Sequence, residues 1–216
     1  MTDVWSSRAE AFRESPTHRE GPDLDLLVEM CEPGPGVTVL DVATGGGHVA
    51  RRLREHGCRV VTVDPAPGMR ADVIARAEHL PFDDGSFDVV TCRIAPHHFE
   101  NIRAAVVEMA RVADRLVVIE DNLFVDEQIE AAERLRDPTH VRCYSEEEWK
   151  VMLTDVGLEI ERTERIERRR DVDDWLARVD TPPSDAARVR DLLDDRIVGG
   201  VMSFPSILIK AGWPES

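Results

Sequence analysis

The chain has 216 residues, and 42% hydrophobic residues are enough for one core of domain size. A formal net charge of −16 excludes a nucleic-acid binder that works through a broad basic face. The four cysteines, Cys31, Cys58, Cys92 and Cys143, form no C-x-x-C pair. Zinc-ribbon and thioredoxin-like chemistry are therefore not expected, and no metal is predicted. The N-terminal "MTDVWSSRAEAF" has no apolar signal core, and no stretch approaches the ~18 apolar residues of a membrane span. The expectation is a cytoplasmic protein, monomer or homodimer, with a small-molecule partner and neither nucleic acid nor membrane.

In chain order, residues 4–14 read as a short amphipathic helix that "SPTHREGPDL" breaks. Asp23 to Cys31 reads as a second helix, and "EPGPG" as a turn. "VTVLDVA" is a short β-branched run bounded by glycines, which predicts a buried strand. His48 to His56 has the apolar spacing of a helix, and Gly57 suits its end. "CRVVTVD" predicts the second strand, "DVIARA" the third and "FDVVTCRI" the fourth, with "DDGS" as a turn. Asn101 to Val112 fits a helix, and "RLVVIEDN" the fifth strand. Asp126 to Arg136 is helical, and Ser145 with Glu148 forms a capping box that opens another helix, ended by Gly157. "LEIERTERIE" reads as an exposed strand, followed by two short helices and a last strand, "SILIKAG". Strands alternating with helices imply a mostly parallel sheet covered on both faces.

The stretch "VLDVATGGGHVARRL" carries the first chemical signal. Gly45-Gly46-Gly47-His48-Val49-Ala50 satisfies G-x-G-x-x-[GA], and Asp64 lies about 20 residues on, where an acid meets ribose hydroxyls. That pattern alone admits a nicotinamide dinucleotide, hence an NAD-dependent oxidoreductase. Asp41 counts against it, because a carboxylate just ahead of the loop repels a pyrophosphate and suits an ammonium group. The only tyrosine, Tyr144, is followed four residues on by Glu148, not by the lysine of a short-chain dehydrogenase. S-adenosylmethionine has an ammonium, a carboxylate and a ribose diol. Asp41, the backbone N–H groups at the helix start and Asp64 match these in turn.

The segments "SPTHREGPDL", "VLDVATGGGHVA", "VVTVDPAPGM", "AEHLPFDDGSFDVVTCRIAPHHF" and "RDPTHVRCYSEEEW" come in one order over residues ~5–160. This set resembles class I S-adenosylmethionine-dependent methyltransferases, of the methyltransferase type 11 group (ubiquinone/menaquinone-biosynthesis-like). The resemblance implies an α/β, Rossmann-like fold with a mostly parallel seven-stranded sheet whose last strand is antiparallel, flanked by helices. It also implies one domain over 1–216, with a helical cap at 1–35, a cofactor-binding core at 36–122, and substrate-side helices and strands at 123–216.

Position by position, Asp41, Ala43, Gly45 and Gly47 resemble the first cofactor motif, with Ala43 in place of a glycine. Asp64 resembles the ribose-binding acid, with Pro65 and Met69 beside the adenine. Ala77 and Glu78 match the alanine–acid pair near the adenine edge. Arg93 is placed at the cofactor's methionine end or the substrate, and His18 in the segment covering the site. Two departures stand out. Only about one helical turn fits between Met69 and Asp72, so the helix after the second strand is shortened or missing. Arg76 replaces the acid that usually precedes Ala77.

His97 and His98, at the carboxyl edge of the fourth strand, and His140 are the candidate bases for a hydroxyl or carbon-acid acceptor. "IAPHHF" lacks the N-P-P-[YF] pattern of DNA and protein-amide methyltransferases. "RDPTHVR" is either a loop tied by an Asp–Arg pair or a substrate contact. The run "ERTERIERRRD" reads as a solvated strand face, with Arg168 to Arg170 a candidate contact for an anionic substrate or partner. The expected activity is metal-independent methyl transfer to a small molecule; the alternative is a protein that binds S-adenosylmethionine or S-adenosylhomocysteine without transfer.

Overall fold

The computed structural model describes residues 2–214. Helices α1 (Thr2–Glu14), α2 (Pro16–Arg19) and α3 (Pro22–Met30) precede β1 (Thr38–Val42). Then follow α4 (His48–Glu55), β2 (Arg59–Val63), β3 (Phe87–Arg93), α5 (Ile102–Val112) and β4 (Ala113–Asn122). The rest comprises α6 (Glu127–Arg136), α7 (Glu146–Asp155), β5 (Glu159–Asp171), α8 (Val172–Ala177), α9 (Pro183–Leu192) and β6 (Val201–Gly212).

Among the described residues the sheet has six strands in the order β2-β1-β3-β4-β6-β5. The first four are parallel, and β6 runs antiparallel to both β4 and β5. Alternation along each strand sorts the core into two layers. Leu40, Val42, Val90, Cys92, Val117 and Ile119 face α5 and α7. Val39, Val89, Leu116 and Val118 face α3 and α4.

The expected third strand, "DVIARA", does not form, which leaves six strands where seven were expected. It runs beside β2 but pairs only at Val73, opposite Val63. Val73 donates to the Thr62 carbonyl and Asp64 to the Val73 carbonyl, at 3.0 and 3.2 Å. Asp72 then spends a carboxylate oxygen on the Thr62 N–H and hydroxyl. The segment before it has room only for a 3-10 turn, Pro67–Met69, closed by Arg70 in the left-handed region. With no helix to cover it, Ile74 stays 54% exposed, and a strand without a packed face gains little from further pairing.

The hairpin β5–β6 is longer than "LEIERTERIE" and "SILIKAG" suggested, with twelve paired positions from Glu159 to Asp171. Its far end carries α8 and α9, which pack with α6 around Trp175, Leu176, Val189 and Phe204. It is not a purely solvated face. Ile166, Arg168 and Arg170 share the inward side, and the two arginine side chains are 9% and 8% exposed.

Candidate active site

The strand order reverses between β1 and β3, so the loops leaving their carboxyl ends part and open a crevice. A cavity of ≈ 270 Å³ lies there. Its floor is the glycine loop after β1. Gly45 and Gly47 take φ of 51° and 75°, which glycine adopts at low cost. Gly46 is required for a different reason: a Cβ there would lie 2.8 Å from the Phe12 carbonyl and 2.6 Å from His48 Nε2. Helix α1 thus rests directly on the loop. Ala43, in the place of a family glycine, also has positive φ, 53°, which costs an L-residue about 1 kcal/mol.

Two buried carboxylates frame the loop. Asp41 Oδ2 accepts from Thr44 Oγ1 at 2.6 Å and from the Ala50 N–H at 3.2 Å. Burial pushes its carboxyl up to about 6 against these bonds. Asp64 Oδ2 accepts from the Gly45 N–H at 3.0 Å and Oδ1 from the Ala66 N–H at 2.9 Å. Burial raises its carboxyl too. Asp64 thereby ties the end of β2 to the loop after β1. Both acids cap local backbone, and both still line the cavity.

The far wall holds Pro65, Met69, Ala77, Glu78 and Phe99. Arg76 lies over Glu78 at 3.4 Å and Glu100 at 3.1 Å, so the residue that departs from the family pattern neutralises the acid beside it. Glu78 also accepts from the Asn101 N–H. Arg93 lines the cavity and donates to Glu120 at 2.7 Å, Asp23 at 2.6 Å and the His18 carbonyl at 3.0 Å. These bonds fasten the N-terminal segment to the sheet. Gly47 alone among the expected cofactor residues is set back from the cavity, as the left-handed residue that starts α4. His18, Asp41, Ala43, Gly45, Asp64 and Arg93 are brought together on the walls of this one cavity.

The three candidate bases cluster, with ring centroids 4.2 to 6.2 Å apart, but differ in their partners. His98 and His140 line this cavity, and His97 lines a neighbouring one with His98. His97 Nδ1 lies 2.5 Å from Asp121 Oδ1, both groups buried. Burial presses the imidazole down to about 3 and pushes the carboxyl up. His140 Nε2 faces Glu130 Oε2 at 3.2 Å. His98 Nδ1 faces the Thr139 carbonyl at 3.1 Å, and its ring packs edge-on to Trp5 at 4.7 Å. In "RDPTHVR" the tie is made by Asp137 to Arg8 at 3.1 Å, while Arg142 turns to Glu148.

Other lining residues carry no such individual signal in the sequence. Trp5 and Phe12 descend from α1, Thr44 precedes the glycines, and Pro138, Thr139 and Val141 join His140 on the opposite rim. Their role depends on contacts far apart in the chain. Glu130, His140 and Cys143, spaced unlike any metal motif, also gather within 4.8 Å of one another. The Glu130 oxygens there already accept from the Cys143 N–H and meet His140 Nε2 and Arg134.

Comparison with known proteins agrees with this geometry. The family described as "Methyltransferase domain" matches residues 40–115, which hold both carboxylates and the glycine loop. The uncharacterized methyltransferase YcgJ of Bacillus subtilis is 33% identical over 200 residues, 82% of this chain and 79% of its own length. The crystal structure of B. subtilis YcgJ superposes with a TM-score of 0.79 at 27% identity, over 89% of this chain and 98% of that one. A demethylmenaquinone methyltransferase of Beutenbergia cavernae is 38% identical, but over 40% of this chain and 41% of its own. With the reversed strand order, the glycine loop and the two framing carboxylates, these likenesses place the chain in the class I methyltransferase family, type 11 group.

Proposed function

We propose that the cavity binds S-adenosylmethionine and that the protein transfers the cofactor's methyl group to a small-molecule acceptor. The observation that carries this reading is the pair of buried carboxylates, Asp41 and Asp64, on either side of the glycine loop and open to one cavity. The donor set fits the cofactor end by end. Each oxygen of Asp64 holds one backbone N–H and keeps a lone pair for a ribose hydroxyl. Asp41 Oδ1 is left for the ammonium, because Oδ2 is spent on the loop. Pro65, Met69, Ala77 and Phe99 offer the apolar walls a flat base needs.

Bound S-adenosylmethionine supplies an electrophilic methyl group on a sulfonium, so the protein's own work is alignment and exclusion of water. Helix α1 supplies the cover, with Trp5 and Phe12 over the cavity. The Thr139 carbonyl can only accept, and the Thr139 hydroxyl, 3.2 Å from Nδ1, gives its own proton to Asp137, so we place the His98 proton on Nδ1 and make Nε2 the basic nitrogen. Burial and the neighbouring His97 hold His98 well below the usual histidine range, in its proton-accepting form at neutral pH. We assign His98 as the base for a hydroxyl or carbon-acid acceptor. The His97 ring, held by Asp121, packs against His98 at 4.2 Å, and the His140 ring, held by Glu130, lies edge-on to it at 6.2 Å. The demethylmenaquinone methyltransferase likeness covers too little of the chain to carry its acceptor across.

Calorimetry with S-adenosylhomocysteine and NAD, followed by radiolabelled methyl transfer across an acceptor panel, tests this. The expected result is binding of the sulfur compound, none of NAD, and label in at least one acceptor. Binding of NAD in its place would overturn the cofactor, and binding without transfer across a broad panel would reduce the protein to a cofactor-binding one.

A further inference from the structure

A second cavity, of ≈ 240 Å³, abuts the first, and His18, Ile94 and His98 belong to the walls of both. Its other side is built by the long hairpin and the helices it carries. Arg168 and Arg170 enter from β5, Arg136 from the end of α6, and Arg178 from just beyond α8. Such a gathering of guanidinium groups costs free energy unless acids offset it. The acids present are largely committed elsewhere. Asp23 and Glu120 bracket Arg93 at 2.6 and 2.7 Å and meet Arg168 only at 3.4 and 3.8 Å. Asp137 takes Arg8. Glu133 is shared by Arg136 at 3.3 Å and Arg170 at 3.9 Å.

Two donors are left over. Arg170 Nη1 is buried with no hydrogen-bond partner, on a residue 8% exposed. The Arg178 guanidinium makes no ion pair or hydrogen bond among the described residues, yet it lines the cavity. The charges of Arg136, Arg170 and Arg168, after burial, drive it down to about 10. Arg170 is buried and Arg178 half-buried, and a guanidinium N–H without an acceptor on such a wall can take an anionic oxygen.

We propose that this second cavity is an oxyanion subsite, in which Arg170 and Arg178 hold the carboxylate or phosphate group of the methyl acceptor. The acceptor's reacting end then passes His98 into the first cavity, where the methyl group is delivered. This rests on the methyltransferase reading above, and it narrows the acceptor to a small anionic molecule, which a forked guanidinium pair recognises better than a neutral one. The acidic chain as a whole repels such a ligand, so the local arginines must supply the attraction.

The test is a titration of inorganic phosphate and, separately, benzoate into the free protein and into protein saturated with S-adenosylhomocysteine, for wild type, Arg178→Gln and Arg170→Gln. The expected result is saturable binding of one or both anions to wild type, weakened at least tenfold in each variant, with unchanged affinity for S-adenosylhomocysteine. The stronger of the two anions names the acceptor's group. Arg178→Gln should also melt no lower than wild type without anion, since it removes an unpaired charge. Absence of binding by both anions, equal binding by the variants, or a lowered melting temperature for Arg178→Gln would overturn the subsite. Failure of S-adenosylhomocysteine to bind would overturn the cofactor reading, while the free-protein arm still judges the anion cavity.

Discussion

Asp41 and Asp64 show how one carboxylate serves both a loop and a ligand. Asp41 was legible as a strand-end acid ahead of the glycines and Asp64 as a strand-end acid about 20 residues past them, and each caps backbone as well as facing the cavity. Asp41 is held at about 6, above its ordinary 3.8, because burial outweighs its two hydrogen bonds. For folding, a raised carboxyl contributes stability below its ordinary value, and that contribution is lost as pH rises to about 6. Binding of an ammonium has the opposite sign, since it needs the ionised form. The affinity for S-adenosylhomocysteine should hold level from pH 8 to 7 and fall up to about tenfold per unit below the value near 6. Asp41→Asn should flatten that slope. A wild-type profile that stays flat to pH 5, followed by calorimetry, would remove Asp41 from the ammonium site. Which histidine is free was not legible: His97, His98 and His140 differ only in partners, Asp121, Thr139 and Glu130, that the sequence does not bring near.

At the scale of elements, local signals decided most of the fold. The Ser145–Glu148 capping box forms in both directions and opens α7 where the sequence placed it. Ser145→Ala should cost ~1 kcal/mol, a fall of about 2–4 °C in melting temperature by calorimetry. No change in Tm would mean that packing of Trp149 and Leu153, both buried, holds the helix alone. Two elements were misread for physical reasons. "DVIARA" has the composition of a strand, but with the preceding helix missing nothing packs on Ile74, and pairing stops at Val73. The charges of "ERTERIERRRD" look solvated because alternation of charge signals water as well as a strand. Only the hairpin's reach across to α6 and α8 shows that Arg168 and Arg170 turn inward.

For the whole molecule, long-range ion pairs join what the chain separates. Arg8 reaches Asp137, and Arg93 joins Asp23 near the N-terminus to Glu120 on β4. These pairs hold α1 and the segment after it over the cavity, and on this basis we propose that the chain unfolds as one domain. Arg93→Ala would leave the buried carboxylates of Asp23 and Glu120 with only the more distant Arg168, at 3.4 and 3.8 Å. It should destabilise by about 3–5 kcal/mol in urea titration, within a single transition. A loss below 1 kcal/mol would mean that Arg168 takes over the pairing. Such contacts leave no local trace, so the sequence could indicate a cover over the site without indicating what fastens it.

Seating of S-adenosylmethionine by Asp64 and the glycine loop, at the crevice between β1 and β3, is open to calorimetric titration of S-adenosylhomocysteine into wild type and Asp64→Ala. Wild type should bind saturably, and the variant more weakly by roughly 1.5–3 kcal/mol, the scale of a lost charged hydrogen-bond partner. An unchanged dissociation constant in Asp64→Ala, or no binding to wild type at millimolar ligand, would contradict it.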